Sequence, residues 1–269
     1  MNKRIKNIFY LLILTFLFSA CEKVIDVDLN DAELRVVIEG NINGDNGLGE
    51  VKISMTASYF DTVPGERVSN AKVTVADGNG KEYRFYETAP GVYRSFEMRP
   101  ADNATYQLNV EVDDKIYQAE STLKPRVAID SVTWFFDEGN SFFDAGYYLN
   151  LYLMDPAEVE NYYRIKVYKN GKLRNSSDDI LVFADRFVNG NQVEITLFDD
   201  PYQINDTVRI QLISIDKNVY EYFKTFGELL NNNPGSAAPA NPNTNLSNGA
   251  LGYFSVWSSD TVSVIIKDE

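Results

Sequence analysis

Between positions 34 and 123 apolar and polar residues alternate with a period of two, and the alternation stops at clusters of Gly, Asn and Asp. Successive side chains on a strand point to opposite faces, so the pattern predicts half-buried antiparallel strands. Residues 34–39 and 51–55 flank a turn region, 41–49, whose three glycines can take positive φ. Residues 71–75 and 83–86 flank Asp77-Gly78-Asn79-Gly80, and Asp-Gly and Asn-Gly suit the primed turns of hairpins. Segments 91–96, 106–112 and 116–119 bring the set to about seven short strands in roughly 90 residues. That spacing fits an immunoglobulin-like or transthyretin-like (carboxypeptidase-regulatory-like) sandwich over 33–125.

Pro125 marks the expected boundary to a second β region, 126–269. It opens with 131–136 and continues through strands at 147–154, 162–168, 180–187, 193–198 and 208–215, with Asn170-Gly171 and Asn189-Gly190 as turns. One helix interrupts it, over 217–231. Val219, Tyr222, Phe223, Phe226, Leu229 and Leu230 recur at helical spacing, Asp216 can cap the first turn, and Ile215 can pack on Tyr220. A polar loop follows at 232–248, where Pro234, Pro239 and Pro242 bar regular structure; strands at 249–257 and 261–266 close the chain. The predicted fold is therefore all-β, two consecutive β-sandwich domains, the second carrying one amphipathic helix and a long Asn/Pro loop.

The N-terminus reads differently. Lys3, Arg4 and Lys6 precede an apolar run, 8–18, and then Ser19-Ala20-Cys21, the order of a cleaved export signal spanning 1–20. The run is shorter than the ~20 residues a membrane-spanning helix needs. Small residues before a cysteine suit lipoprotein processing, so Cys21 is the expected lipidation site and 21–32 an acidic tether. Cys21 is the only cysteine, which rules out an intramolecular disulfide and leaves the fold to its core. Acylation gives stable anchoring, each buried methylene contributing about 0.8 kcal/mol. The chain holds 25 basic and 39 acidic residues; the leader takes three basic ones and no acidic one, leaving 22 against 39. Such a body repels nucleic acid and anionic lipid, so neither is expected as a ligand.

There is no histidine. That excludes hydrolases with a histidine base and histidine-ligated metal centres, and the single cysteine excludes thiolate metal sites and redox pairs. No cofactor and no metal are expected. Carboxylate doublets at Asp178-Asp179 and Asp199-Asp200 could serve glycoside hydrolysis, but neighbours on a strand diverge, and solvated turns account for them better. Asp26/Asp28/Asn30 and Asp77/Asn79 have calcium-like alternation without the closing glutamate of an EF-hand. The aromatic content is 13%. Tyr253 and Phe254, followed by Trp257, are one of its densest spots, and one ring of such a doublet can face a sugar or a protein partner. The competing expectation is that both faces are packed, between sheet, helix and neighbouring domain. The 232–248 loop supplies the remaining binding candidates, Asn245 and Asn248, since long structureless loops in compact domains often bind.

Cys21-Glu22-Lys23-Val24-Ile25-Asp26-Val27, the 34–39 strand leading to Gly40, Ile213-Ser214-Ile215 running into Tyr220-Glu221-Tyr222, and above all Asn245-Leu246-Ser247-Asn248-Gly249-Ala250-Leu251-Gly252-Tyr253-Phe254 resemble the Bacteroidota lipoproteins grouped as domain of unknown function 4249. Ala250 stands where that family often has a second glycine. The resemblance covers the chain after the leader. It implies a lipoprotein of the outer membrane, at the cell surface with the periplasmic face as the alternative, usually encoded beside a TonB-dependent receptor, and it carries over no catalytic residues. The expected function is that of a non-enzymatic accessory or substrate-capturing partner of such a receptor in nutrient uptake. The alternatives are a module binding glycan or peptide through exposed aromatics and, behind it, a carboxylate-dependent hydrolase.

Overall fold

The computed structural model describes residues 33–57, 64–141, 143–157, 159–186, 190–231 and 241–268. The leader, Cys21, the acidic tether and the first half of the Asn/Pro loop lie outside them. Among the described residues no helix is long and apolar enough to cross a membrane.

The alternating segments form strands as expected. The first set is β1 (Val36–Asn43), β2 (Gly49–Met55), β3 (Lys72–Asp77), β4 (Glu82–Ala89), β5 (Val92–Ser95), β6 (Thr105–Val112) and β7 (Lys115–Thr122). β4 pairs with β3 through its first half and with β5 through its second, where the register is irregular between Glu87 and Ala89, and so passes from one layer to the other. Inward residues of these strands, among them Ile38, Ile42, Val51, Ile53, Val75, Phe85, Leu108 and Val110, make the first core.

The second set is β8 (Ser131–Asp137), β9 (Gly146–Met154), β10 (Tyr162–Lys169), β11 (Lys172–Leu173), β12 (Leu181–Ala184), β13 (Gln192–Tyr202), β14 (Thr207–Ile215), then helix α1 (Lys217–Leu230) and β15 (Leu251–Ile265). β13, β9 and β8 form a separate three-stranded sheet. Leu149, Leu151, Leu153, Val193 and Leu197 on its inner face meet Tyr163, Ile165, Val167, Val208, Ile210 and Leu212 in a second core.

The two sandwiches share a sheet, which the linear division at Pro125 does not anticipate. β15 is one continuous strand of 15 residues. Its first half pairs in parallel with β1 and its second half antiparallel with β14. Phe254 and Val256 fill the first core, whereas Val262 and Val264 pack on the second. The sequence suggests a break at Ser258-Ser259-Asp260, because three polar residues interrupt the apolar pattern. The strand runs through them because other parts of the chain satisfy each one. Ser258 Oγ donates to Lys124 O at 2.8 Å, Ser259 N donates to an Asp45 carboxylate oxygen at 3.0 Å, and Ile129 N donates to Asp260 Oδ2 at 2.8 Å.

α1 forms as predicted. Val219 N donates to Asp216 Oδ1 at 3.0 Å as the N-cap, and Val219 and Phe223 are buried. The other oxygen of Asp216 accepts from Thr122 N at 3.1 Å and from the Ser121 hydroxyl, fastening the helix start to β7. The helix lies on the face of the shared sheet opposite the two cores, over Tyr162, Ile213, Ile215, Tyr253 and Trp257.

Candidate functional site

Tyr253, Phe254, Trp257, Asn245 and Asn248 are placed in the fabric of the fold. Phe254 is 0% exposed in the first core. On the other face of β15, Tyr253 meets Tyr222 and Phe223 of α1, with ring centroids 4.9 and 4.8 Å away, and its hydroxyl is 3.1 Å from Asn41 Nδ2, which donates to it. Trp257 is half-buried in the same cluster. Both faces of this central strand are covered, which is the competing expectation for an aromatic doublet.

The two asparagines do comparable work. β14 stops pairing at Ser258, so the first half of β15 has β1 on one side and no strand on the other. Side chains stand in for that strand. Phe254 N donates to Asn245 Oδ1 at 3.0 Å, and Asn245 Nδ2 donates to Phe254 O at 2.8 Å and to Glu120 O at 3.0 Å. Thr244 Oγ1 donates to Gly252 O at 2.8 Å, and Val256 N donates to Ser121 Oγ at 2.9 Å. Asn248, in the left-handed region at φ 52°, donates from Nδ2 to Ile116 O. Leu246 is buried and bridges to Ala119. Residues 241–248 are thus a clasp between β7 and β15, not a free binding loop.

A cluster of aromatics with exposed members lies elsewhere, on the outer face of the three-stranded sheet. Leu197 points into the core, so Phe198 points out, and the β13–β9 register breaks between Leu197 and Tyr202 just where Phe198 emerges. Phe198 is 57% exposed and Phe143, on the loop after β8, 42%. Their rings are 5.5 Å apart; Phe198 lies 5.9 Å from Tyr148, and Tyr148 6.1 Å from Phe135. Tyr148 is buried beneath them, its hydroxyl donating to Asp144 O at 2.7 Å. The four rings form a platform whose outer half faces solvent.

A cleft opens on each side of it. One, of about 280 Å³, has a polar wall of Asp144, Arg174, Ser176, Asp178 and Asp200 beside Phe143 and Phe198. Arg174 is held there: Nε donates to Asp179 Oδ1 at 3.0 Å and Nη1 to Asp200 O at 3.1 Å. The other, of about 460 Å³, runs between β12, β13 and α1 and is lined by Ile180, Val182, Phe183, Ile195 and Phe198, with Lys224 at one side. Of the Asp178-Asp179 doublet, Asp179 also accepts from Ser176 N at 2.7 Å, so its carboxylate is engaged in folding that turn, while Asp178 lines both clefts. Asp200 carries an exposed side chain. One signal for the platform was present in the sequence: the pair Phe142-Phe143 lies in a stretch of Glu, Gly, Asn, Ser, Asp and Ala that has no apolar period to absorb it.

A third cleft, about 490 Å³, surrounds the start of α1 and is lined by Glu120, Glu160, Tyr162, Asp216 and Lys217. Its central groups serve the joint between β7 and α1 described above. Tyr162 donates to Glu160 Oε2 at 2.7 Å, and burial, followed by that carboxylate, pushes the phenol up to about 12. Such a tyrosine stays protonated and is no base at neutral pH.

No curated protein sequence matches the chain. Among solved structures it is similar to a DUF4785 family protein from Legionella pneumophila, at 11% identity and a TM-score of 0.25, over 67% of this chain and 52% of that one. It is similar to the FN1–FN3 domains of chicken CNTN1, at 12% identity and 0.27, over 87% and 67%, and to the Yersinia pseudotuberculosis adhesin InvE, at 14% and 0.21, over 66% and 55%. The chain therefore spans about half the length of the first of these. The model of the family described as domain of unknown function (DUF4249) matches residues 22–263, and the chain belongs to that family.

Proposed function

We propose that this chain is a non-enzymatic binding lipoprotein, tethered through acylated Cys21 to the outer membrane at the cell surface, which holds a partner on the Phe143–Phe198 platform. The partner is a TonB-dependent receptor of the same membrane, and the lipoprotein acts as its accessory in nutrient uptake. The observation carrying this reading is the platform itself. Two large rings stand exposed together over the buried Tyr148, and between them they flank one polar and one apolar cleft. Absence of histidine and the engagement of Arg174 and Asp179 in structural ion pairs favour binding over turnover.

Burying each ring contributes about 1.5–3 kcal/mol, so losing both weakens a complex by roughly 100-fold or more. Mild-detergent purification of tagged protein after cross-linking is expected to bring down a β-barrel receptor, identified by mass spectrometry, and the Phe143→Ala/Phe198→Ala protein is expected not to. Recovery of the lipoprotein alone, or equal recovery with the double variant, sinks the reading.

A second reading has one observation in its favour: the rings adjoin a polar cleft bearing Asp144, Arg174 and Asp200, the pairing of stacking surface and hydrogen-bonding groups that holds a sugar. Affinity electrophoresis through gels containing soluble polysaccharides tests it. Unretarded migration in every gel removes it.

A further inference from the structure

On the face of the shared sheet opposite the second core, β10 carries Tyr162 beneath α1 and then Arg164, Lys166 and Tyr168, in alternation with the buried Tyr163, Ile165 and Val167. Neither cation has a carboxylate partner among the described residues, although the protein is strongly acidic. Arg164 sits over Phe223, its guanidinium carbon 3.7 Å from the ring centre, and Tyr253, Tyr222 and Tyr168 stand close enough to act on it electrostatically. Glu39 acts on Tyr222 and Tyr253 but forms no ion pair with Arg164. That contact holds the guanidinium in place against the ring.

Lys166 is more exceptional. It is half-buried, makes no hydrogen bond or ion pair with any described residue, and feels Arg164 and Lys52 of β2 as repelling charges. Burial first, then those two cations, lower its ammonium from the usual lysine value to about 8. Lys52 itself pairs with Glu50 at 3.2 Å, but Glu50 is shared with Arg94 at 2.6 Å. Lys166 and Arg164 thus stand two residues apart on one face of β10, and an unpaired half-buried ammonium beside a guanidinium is a destabilising arrangement.

We propose that Lys166 and Arg164 form a binding site for an oxyanion, the carboxylate or the phosphate or sulfate group of a small ligand. The oriented guanidinium supplies directed N–H donors and the ammonium supplies a mobile point charge, the combination that suits terminal oxygens. The site is on a different face from the aromatic platform and does not depend on it.

The test is isothermal titration of the mature protein at low ionic strength with sodium sulfate and, separately, sodium succinate, alongside Lys166→Gln and the control Lys115→Gln, an exposed lysine at the start of β7. At least one anion is expected to bind, tenfold or more weakly to Lys166→Gln and unchanged to Lys115→Gln. Sulfate binding alone assigns a tetrahedral group, succinate alone a carboxylate, and both together the shared chemistry. At about pH 8 the free ammonium is about half protonated, so binding draws in up to about half a proton per site, read from the dependence of the heat on buffer ionisation. Lys166→Gln is also expected to melt higher than the parent without anion, which shows that the variant folds. Binding of neither anion, equal binding by Lys166→Gln, or no proton uptake overturns the proposal.

Discussion

Asn245→Ala separates a structural clasp from a ligand-binding loop. Asn245 makes three hydrogen bonds to main chain, two with Phe254 and one with Glu120, at 2.8 to 3.0 Å. Phe254 is fully buried, and its peptide faces the side of β15 that has no strand, so water does not readily replace the lost partner. Each bond contributes about 0.5–1.5 kcal/mol net, and a buried peptide left unpaired costs about 1–3 kcal/mol, so the substitution is expected to destabilise the protein by about 2–4 kcal/mol. Asn245→Asp keeps the acceptor for Phe254 N but sets a carboxylate against two carbonyl oxygens, so it is expected to be no milder. Urea unfolding followed by fluorescence of Trp134 and Trp257, which pack on the second core and on the α1 cluster, reads both variants. A change below about 0.5 kcal/mol for Asn245→Ala refutes the clasp.

Asp155 and Asp185 are 2% and 1% exposed, and the negative charge of Asp155 acts on Asp185. Burial, with a smaller part from Asp155, raises Asp185 above the ordinary value of 3.8. The folded protein therefore binds a proton that the unfolded chain has released, and stability falls as pH rises from 3.8 through the raised value and stays lower above it. Asp185→Asn is expected to melt higher than the parent at about pH 7, with the gap closing towards about pH 4; a constant gap, or a lower melting temperature at neutral pH, contradicts this. Gly252→Ala is expected to cost about 1–3 kcal/mol from backbone conformation alone, plus a clash, because Gly252 has φ +98° and an added Cβ would lie 2.1 Å from Ile38 O; urea midpoints equal to the parent's would count against that geometry. Phe198→Ala, at an exposed site, is expected to change stability by less than about 0.5 kcal/mol while weakening partner capture, and a large loss of stability would show that the ring serves the fold instead.

Local chemistry made most elements readable. Alternation marked the strands of the first sandwich, and Asp216 with the 219/222/223/226 spacing marked α1, because those signals act within a few residues. What depended on distant partners did not show. Ser258-Ser259-Asp260 reads as a turn until Lys124, Asp45 and Ile129 are known to lie against it. The parallel β1–β15 pairing joins residues more than 200 positions apart and leaves no periodic trace. Asn245 and Asn248 read as loop residues because a side chain that replaces a missing strand looks, in sequence, like one free to bind. The same limit hid the platform. Phe198 sits one place from the inward Leu197 at a register break, and only the break decides that it faces out.

Whether the Phe143–Phe198 face docks a receptor is decided by what touches it. A photo-reactive phenylalanine analogue placed at position 198, with a second protein carrying it at the exposed but unrelated Phe96, addresses this in living cells. Illumination and mass spectrometry are expected to give an adduct with a TonB-dependent receptor from position 198 and none from position 96. No adduct from 198, or the same adduct from both positions, would contradict a receptor docked on the platform.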